Sequence, residues 1–80
     1  MLEITPGITL TPQIRFGRPV IRGTRVPVAT VIARIASGSS FAEVMDEYEL
    51  THEDILNALN YAALRLADDQ IWLTADDLAS

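Results

Sequence analysis

Between Phe16 and Val28 the chain reads Phe-Gly-Arg-Pro-Val-Ile-Arg-Gly-Thr-Arg-Val-Pro-Val, which holds two of its four prolines and two of its four glycines. Pro19 and Pro27 lack a backbone N–H and have a fixed φ, so this stretch cannot be a helix interior and suits a central strand poorly. A short ribbon folded at Arg22-Gly23-Thr24 satisfies both prolines, with glycine supplying the tight bend and Pro27 pre-setting the first turn of a following helix. If residues 18–22 are extended, Arg18, Val20 and Arg22 share one face while Pro19 and Ile21 share the other. The segment then presents arginines on a surface backed by apolar residues.

Upstream, Ile8-Thr9-Leu10-Thr11 alternates apolar and polar residues, the period of a half-buried strand, bracketed by Pro6-Gly7 and Pro12. This strand is expected to pair with the Val20 region, in the same chain or in a partner. Downstream the period changes. Val28, Val31, Ile32 and Ile35 fall at helical spacing, and Gly38 supplies the stop. Ser40-Phe-Ala-Glu43 has the form of a capping box, followed by Phe41, Val44, Met45 and Tyr48 as one stripe of a short second helix. Glu47 and Glu49 oppose that helix's dipole and favour an early end.

Thr51 caps a third helix whose first turn carries Glu53 and Asp54, and Leu50 and Ile55 occupy the positions of a hydrophobic staple. Ile55, Leu56, Leu59, Ala62, Ala63 and Leu66 are expected to line its buried stripe. Only a few residues separate the second and third helices, as in a helix-turn-helix pair. The expected fold class is mainly α with a small β part: an N-terminal β-ribbon followed by a three-helix bundle. Residues 1–67 form the domain in this reading, and residues 68–80 an acidic tail around Gln-Ile-Trp-Leu-Thr.

Eighty residues support a modest core, and without cysteine the chain has no disulfide staple, so oligomerisation is a reasonable source of stability. A homodimer through the ribbon is expected, because an isolated two-stranded element is marginal and has open edges. The absence of cysteine fits a reducing compartment, and neither a signal segment nor a membrane-length apolar run occurs, so a cytoplasmic protein without membrane contact is expected. The formal net charge of −5 argues against a general nucleic-acid coat. Its distribution is polarised, however. All arginines except Arg65 lie between residues 15 and 34, and every acidic residue except Glu3 lies at or after Glu43. Two distinct contact surfaces follow from that asymmetry.

The Phe16–Val28 run, followed by an apolar helix ending Ala-Ser-Gly, then Ser-Phe-Ala-Glu-Val and Leu-Thr-His-Glu-Asp-Ile, resembles the family catalogued as domain of unknown function 433. The resemblance extends from about Ile8 to Ala67. It rests on Gly17, Arg18, Pro19, Ile21, Arg22, Gly23, Thr24, Arg25, Val26, Pro27 and Val28. A departure is Phe16, where the family commonly has a second glycine or small residue. The resemblance implies a prokaryotic, homeodomain-like helix-turn-helix and an antitoxin-like role opposite a PIN-like ribonuclease toxin.

The candidate DNA-binding residues are Arg15, Arg18, Arg22, Thr24 and Arg25, since a guanidinium holds its charge and its planar fork suits phosphate oxygens. The competing reading pairs these arginines with the chain's own carboxylates, in contacts worth about 0–1 kcal/mol when exposed. The third helix is a poor DNA reader, because His52, Glu53 and Asp54 at its start would set carboxylates against phosphates. Asn57, Asn60 and Tyr61 are expected on its outer face. Ile71, Trp72 and Leu73 are candidate partner-binding residues, an aromatic anchor between acids. The alternative is a tail that caps the chain's own core.

No catalytic residues are identified: His52 has no nucleophile or orienting acid placed around it by any sequence pattern, and it reads as a surface residue. A lone histidine without cysteine leaves no metal-ligand pattern. Gly17 to Gly23 is too broken by proline for a phosphate loop. No enzyme, cofactor, metal or small-molecule substrate is therefore expected. The leading functional expectation is an antitoxin-like regulator that binds operator DNA, repressing its own operon, and neutralises a PIN-like toxin. The alternative is a homo-oligomeric protein-interaction module that binds no nucleic acid.

Overall fold

The structure, a computed structural model, describes residues 2–68. A three-stranded antiparallel sheet precedes three helices. The strands are β1 (Leu2–Thr5), β2 (Ile8–Leu10) and β3 (Val20–Ile21), in the order β1-β2-β3. The helices are α1 (Val28–Ala36), α2 (Phe41–Tyr48) and α3 (His52–Asp68). A single 3-10 turn at Arg15–Gly17 lies between β2 and β3.

The expected pairing of β2 with the Val20 region forms, with Ile8 opposite Ile21 and Thr9 opposite Val20. The expected fold at Arg22-Gly23-Thr24 forms as well. Gly23 takes φ +78°, the Thr24 amide donates to the Ile21 carbonyl at 3.0 Å, and Val20 bridges to Pro27 across the turn. Pro27 stands as the N-cap of α1.

β1 was not anticipated, because Leu2-Glu-Ile-Thr is too short to display a period. It pairs with β2 through a Pro6-Gly7 turn in which Thr5 faces Ile8 and Gly7 takes φ +76°. Proline presets the first turn residue and glycine accepts the positive φ of the second. Gly7 also lies where the sheet meets α3. A Cβ there would overlap the Asn57 side-chain amide.

The expected alternation over residues 18–22 is kept at Val20 and Ile21, which lie on opposite faces of the sheet. Val20 and Ile21 are both buried, whereas Arg18 and Arg22 are exposed. β3 has only two residues, so its register is set by β2: Ile21 lies with Ile8 in the main core, and Val20 lies with buried Thr9 on the opposite face.

The core joins Ile8 and Ile21 to Val28 and Val31 of α1, Val44 of α2, Leu50, and Ile55 and Ala58 of α3. Complete burial of each isoleucine contributes about 1.5–3 kcal/mol. The α2 capping box is made in both directions. The Glu43 amide donates to Ser40 Oγ at 3.1 Å, and the Ser40 amide donates to Glu43 Oε1 at 2.9 Å. Thr51 and Asp54 exchange the equivalent bonds at the start of α3. α2 ends at Tyr48, with Glu49 left-handed at φ 56°, and Leu50 and Ile55 are buried where the staple requires them.

Along α3 the buried stripe differs from the expected one. Ile55 and Ala58 are buried and Leu59 and Ala62 half-buried, while Ala63 is exposed, Leu56 is 47% exposed and Leu66 73%. Tyr61 packs against the core and Asn57 is half-buried, so only Asn60 of the three expected outer-face residues is exposed. The buried face is turned toward Ala58 and Asn57, whose side chain packs where Gly7 has no Cβ. Toward its end α3 lines open hollows, one of them shared with β1 and β2, and Leu64 and Leu66 remain exposed.

Candidate functional site

Four of the five candidate DNA contacts are arginines, and their surroundings divide them. Arg22 is held: its Nη1 donates to Glu3 Oε1 at 2.8 Å, and the Gly7 amide reaches the same oxygen at 3.3 Å. β1 therefore neutralises one cation of the ribbon. Thr24 is engaged inside its own turn, where its hydroxyl donates to the Ile21 carbonyl at 2.8 Å and accepts from the Val26 amide at 3.0 Å.

Arg15, Arg18 and Arg25 are exposed and form no ion pair among the described residues. The other ion pair among those residues joins Arg34 to Glu47 at 2.8 Å, bracing α1 against α2. Arg15 Nε donates to the Arg25 carbonyl oxygen at 3.3 Å, which brings the 3-10 turn beside the ribbon's far arm. The Arg15 backbone is left-handed at φ 52°, a conformation that costs a non-glycine residue about 1–3 kcal/mol and often marks a constrained site.

Arg15 and Arg18 stand over an open groove of about 850 Å³ between the 3-10 turn, the first turns of α1 and the end of α3. Pro19, Pro27, Ile32, Ala33 and Ala62 supply much of its apolar lining, and Arg65 lies on its α3 side. The sequence signals for Arg15 and Arg18 were legible. The part of Arg65 was not, because fifty residues separate Arg15 from Arg65 and only the packing of α1 on α3 brings them to one groove. A smaller hollow of about 480 Å³ lies on the other side of Tyr61, between β1, β2 and Leu64.

The start of α3 offers little to a phosphate backbone. Asp54 is tied to the Thr51 cap, Glu53 is exposed, and the His52 ring lies 5.8 Å from that of Phe41. Among the described residues no group of three or more His, Asp or Glu side chains is placed to hold a metal ion. No described helix is long and apolar enough to cross a membrane. The candidate partner-binding residues Ile71, Trp72 and Leu73 lie outside the described residues, as does the tail from residue 69 onward.

Residues 8–62 match the family model described as "Protein of unknown function (DUF433)". The chain is 43% identical over 56 residues to "Uncharacterized protein y4eO" of Sinorhizobium fredii, covering 69% of this chain and 25% of that protein. It is 34% identical over 56 residues to "Putative antitoxin VapB45" of Mycobacterium tuberculosis, covering 70% of this chain and 23% of that protein. The chain thus matches about a quarter of the length of these curated relatives. A crystal structure of a DUF433 member from Anabaena variabilis superposes with a TM-score of 0.71 at 33% identity, covering 78% of this chain and 62% of the other. The match takes in the whole segment from β2 to the middle of α3, ribbon arginines included, and on that ground the chain belongs to the DUF433 family.

Proposed function

We propose that the protein is an antitoxin-like regulator that contacts operator DNA through Arg15, Arg18 and Arg25. The observation that carries this reading is the clustering of these three arginines without carboxylate partners among the described residues, on a chain whose formal net charge is −5. Exposed guanidinium groups left unpaired by so acidic a chain suit an anionic ligand, and phosphate oxygens fit their planar forks. The ribbon, rather than the acid-bearing start of α3, faces the DNA. Such use of strands and loops has precedent among DNA readers.

The antitoxin half of the reading is supported by the similarity to the Mycobacterium tuberculosis protein named as an antitoxin. Ile71, Trp72 and Leu73 would then hold a PIN-like ribonuclease in the cytoplasm. A homodimer through the open edge of β1 would double the number of phosphate contacts.

The test is fluorescence anisotropy with the DNA upstream of the protein's own gene, across a salt series. Each phosphate contact contributes about −0.9 to the log–log slope, so three arginines per chain give about −3. Absence of binding at low salt would sink the DNA half. A pull-down from the native host that returns only the protein itself would sink the toxin half. Both failures together favour a homo-oligomeric interaction module, a reading supported by the unpaired edge of β1 and the exposed Leu2 and Leu66.

A further inference from the structure

We infer that the groove bounded by Arg15, Arg18 and Arg65 is the docking site for this chain's own segment 69–80. The inference depends on neither DNA nor a toxin. Phosphate contacts to the arginines would leave Pro19, Ile32, Ala33 and Ala62 without an apolar partner. The segment offers both complements. Ile71, Trp72 and Leu73 are apolar and stand between Asp69 on one side and Asp76 and Asp77 on the other. The groove has the matching order, an apolar lining with cations around it, and none of its three arginines has an ion-pair partner among the described residues.

The connection is short enough to favour the same chain. α3 carries Tyr61, Ala62 and Arg65 into the groove and ends at Asp68, one turn beyond Arg65. Four residues carry the chain from Asp68 to Trp72, the length of a reverse turn and so enough for Trp72 to reach the last turn of α3. The five steps from Trp72 to Asp77 then span about 16 Å when extended, enough to cross a groove of about 850 Å³ toward Arg15 and Arg18. A tether this short holds the segment at an effective concentration in the millimolar range, so a weak contact suffices.

Trp72 is the single tryptophan in the sequence, so its emission, excited at the red edge where Tyr48 and Tyr61 do not absorb, reports on this segment alone. At low salt the acrylamide quenching constant should be several-fold below that of a free peptide of residues 69–80. The double variant R18E/R65E, with its helical circular dichroism retained, should raise the constant to the peptide value; R18Q/R65Q should raise it part of the way. Wild-type quenching equal to that of the peptide overturns the inference. So does shielding that survives R18E/R65E, or shielding lost instead through L64E, which would place the segment in the smaller hollow. Shielding that disappears on dilution would assign the groove's occupant to a second copy and overturn docking within one chain.

Discussion

Arg22 and Glu3 meet at 2.8 Å across the sheet, and that contact separates one ribbon arginine from the others. Both side chains remain substantially exposed, so the pair contributes about 0–1 kcal/mol. Its larger consequence is for charge, because the Glu3 carboxylate cancels a cation that the sequence alone would count with Arg18.

Arg18→Ala and Arg22→Ala should therefore differ in DNA binding. Loss of Arg18 is expected to lower the magnitude of the salt slope by about 0.9, the value of one phosphate contact. Loss of Arg22 should leave the slope unchanged. Anisotropy titrations at four or five salt concentrations measure both, and equal slopes for the two variants would contradict the assignment.

Gly7→Ala should destabilise the domain by about 1–3 kcal/mol, the cost of forcing a side chain into a left-handed backbone. The added methyl also meets Asn57, so part of the loss comes from displacing that side chain. Asn57→Ala removes the amide group but keeps a Cβ 3.2 Å from the added methyl, so the double variant G7A/N57A should recover only part of the loss. Urea denaturation of the three variants forms the cycle that separates backbone strain from crowding.

Ile55→Ala should cost about 2–5 kcal/mol, as for other fully buried isoleucines. Leu66→Ala, on the same helix face three turns further along, should change stability by no more than about 0.5 kcal/mol because its side chain already meets solvent. A large Leu66 effect at high protein concentration that vanishes on dilution would instead identify Leu66 as a contact between copies.

The Glu43 carboxyl is held below the ordinary glutamate range, chiefly by the hydrogen bond from the Ser40 amide, then by the Ser40 side chain, with a smaller contribution from Arg34. A depressed folded-state pKa stabilises the fold above the unfolded-state value, and that contribution is lost as pH falls through the folded-state value. Stability measured by urea midpoint should decline from neutral pH into the acid range. Glu43→Gln keeps an acceptor but has no charge to titrate, so its decline should be shallower. A parallel pH profile for the two proteins would refute the linkage.

Where chemistry is local, the residues announced the structure. Ser40 with Glu43, Thr51 with Asp54, and Arg22-Gly23-Thr24 each carry their hydrogen-bonding partners within three positions, so their caps and turn could be read directly. The outward face of α3 was misread for the opposite reason. Leu56 and Ala63 widen the apolar stripe of Ile55 on one side, and helical spacing cannot tell which edge of so broad a stripe finds a partner. Leu66 lies on the Ile55 face and is exposed all the same. β1 escaped notice because Leu2-Glu-Ile-Thr gains its meaning only when Ile8-Thr9-Leu10 lies beside it.

The candidate site divides along the same line. The order of residues alone determined that a proline-broken, arginine-rich ribbon precedes three capped helices, because φ restrictions and cap bonds act over a few residues. Tertiary structure decided which arginines remain without a carboxylate and that Arg65 joins Arg15 and Arg18 around one groove. Coulombic pairing and groove formation depend on distances between segments far apart in the chain, and those distances exist only after α3 has packed against α1 and the sheet.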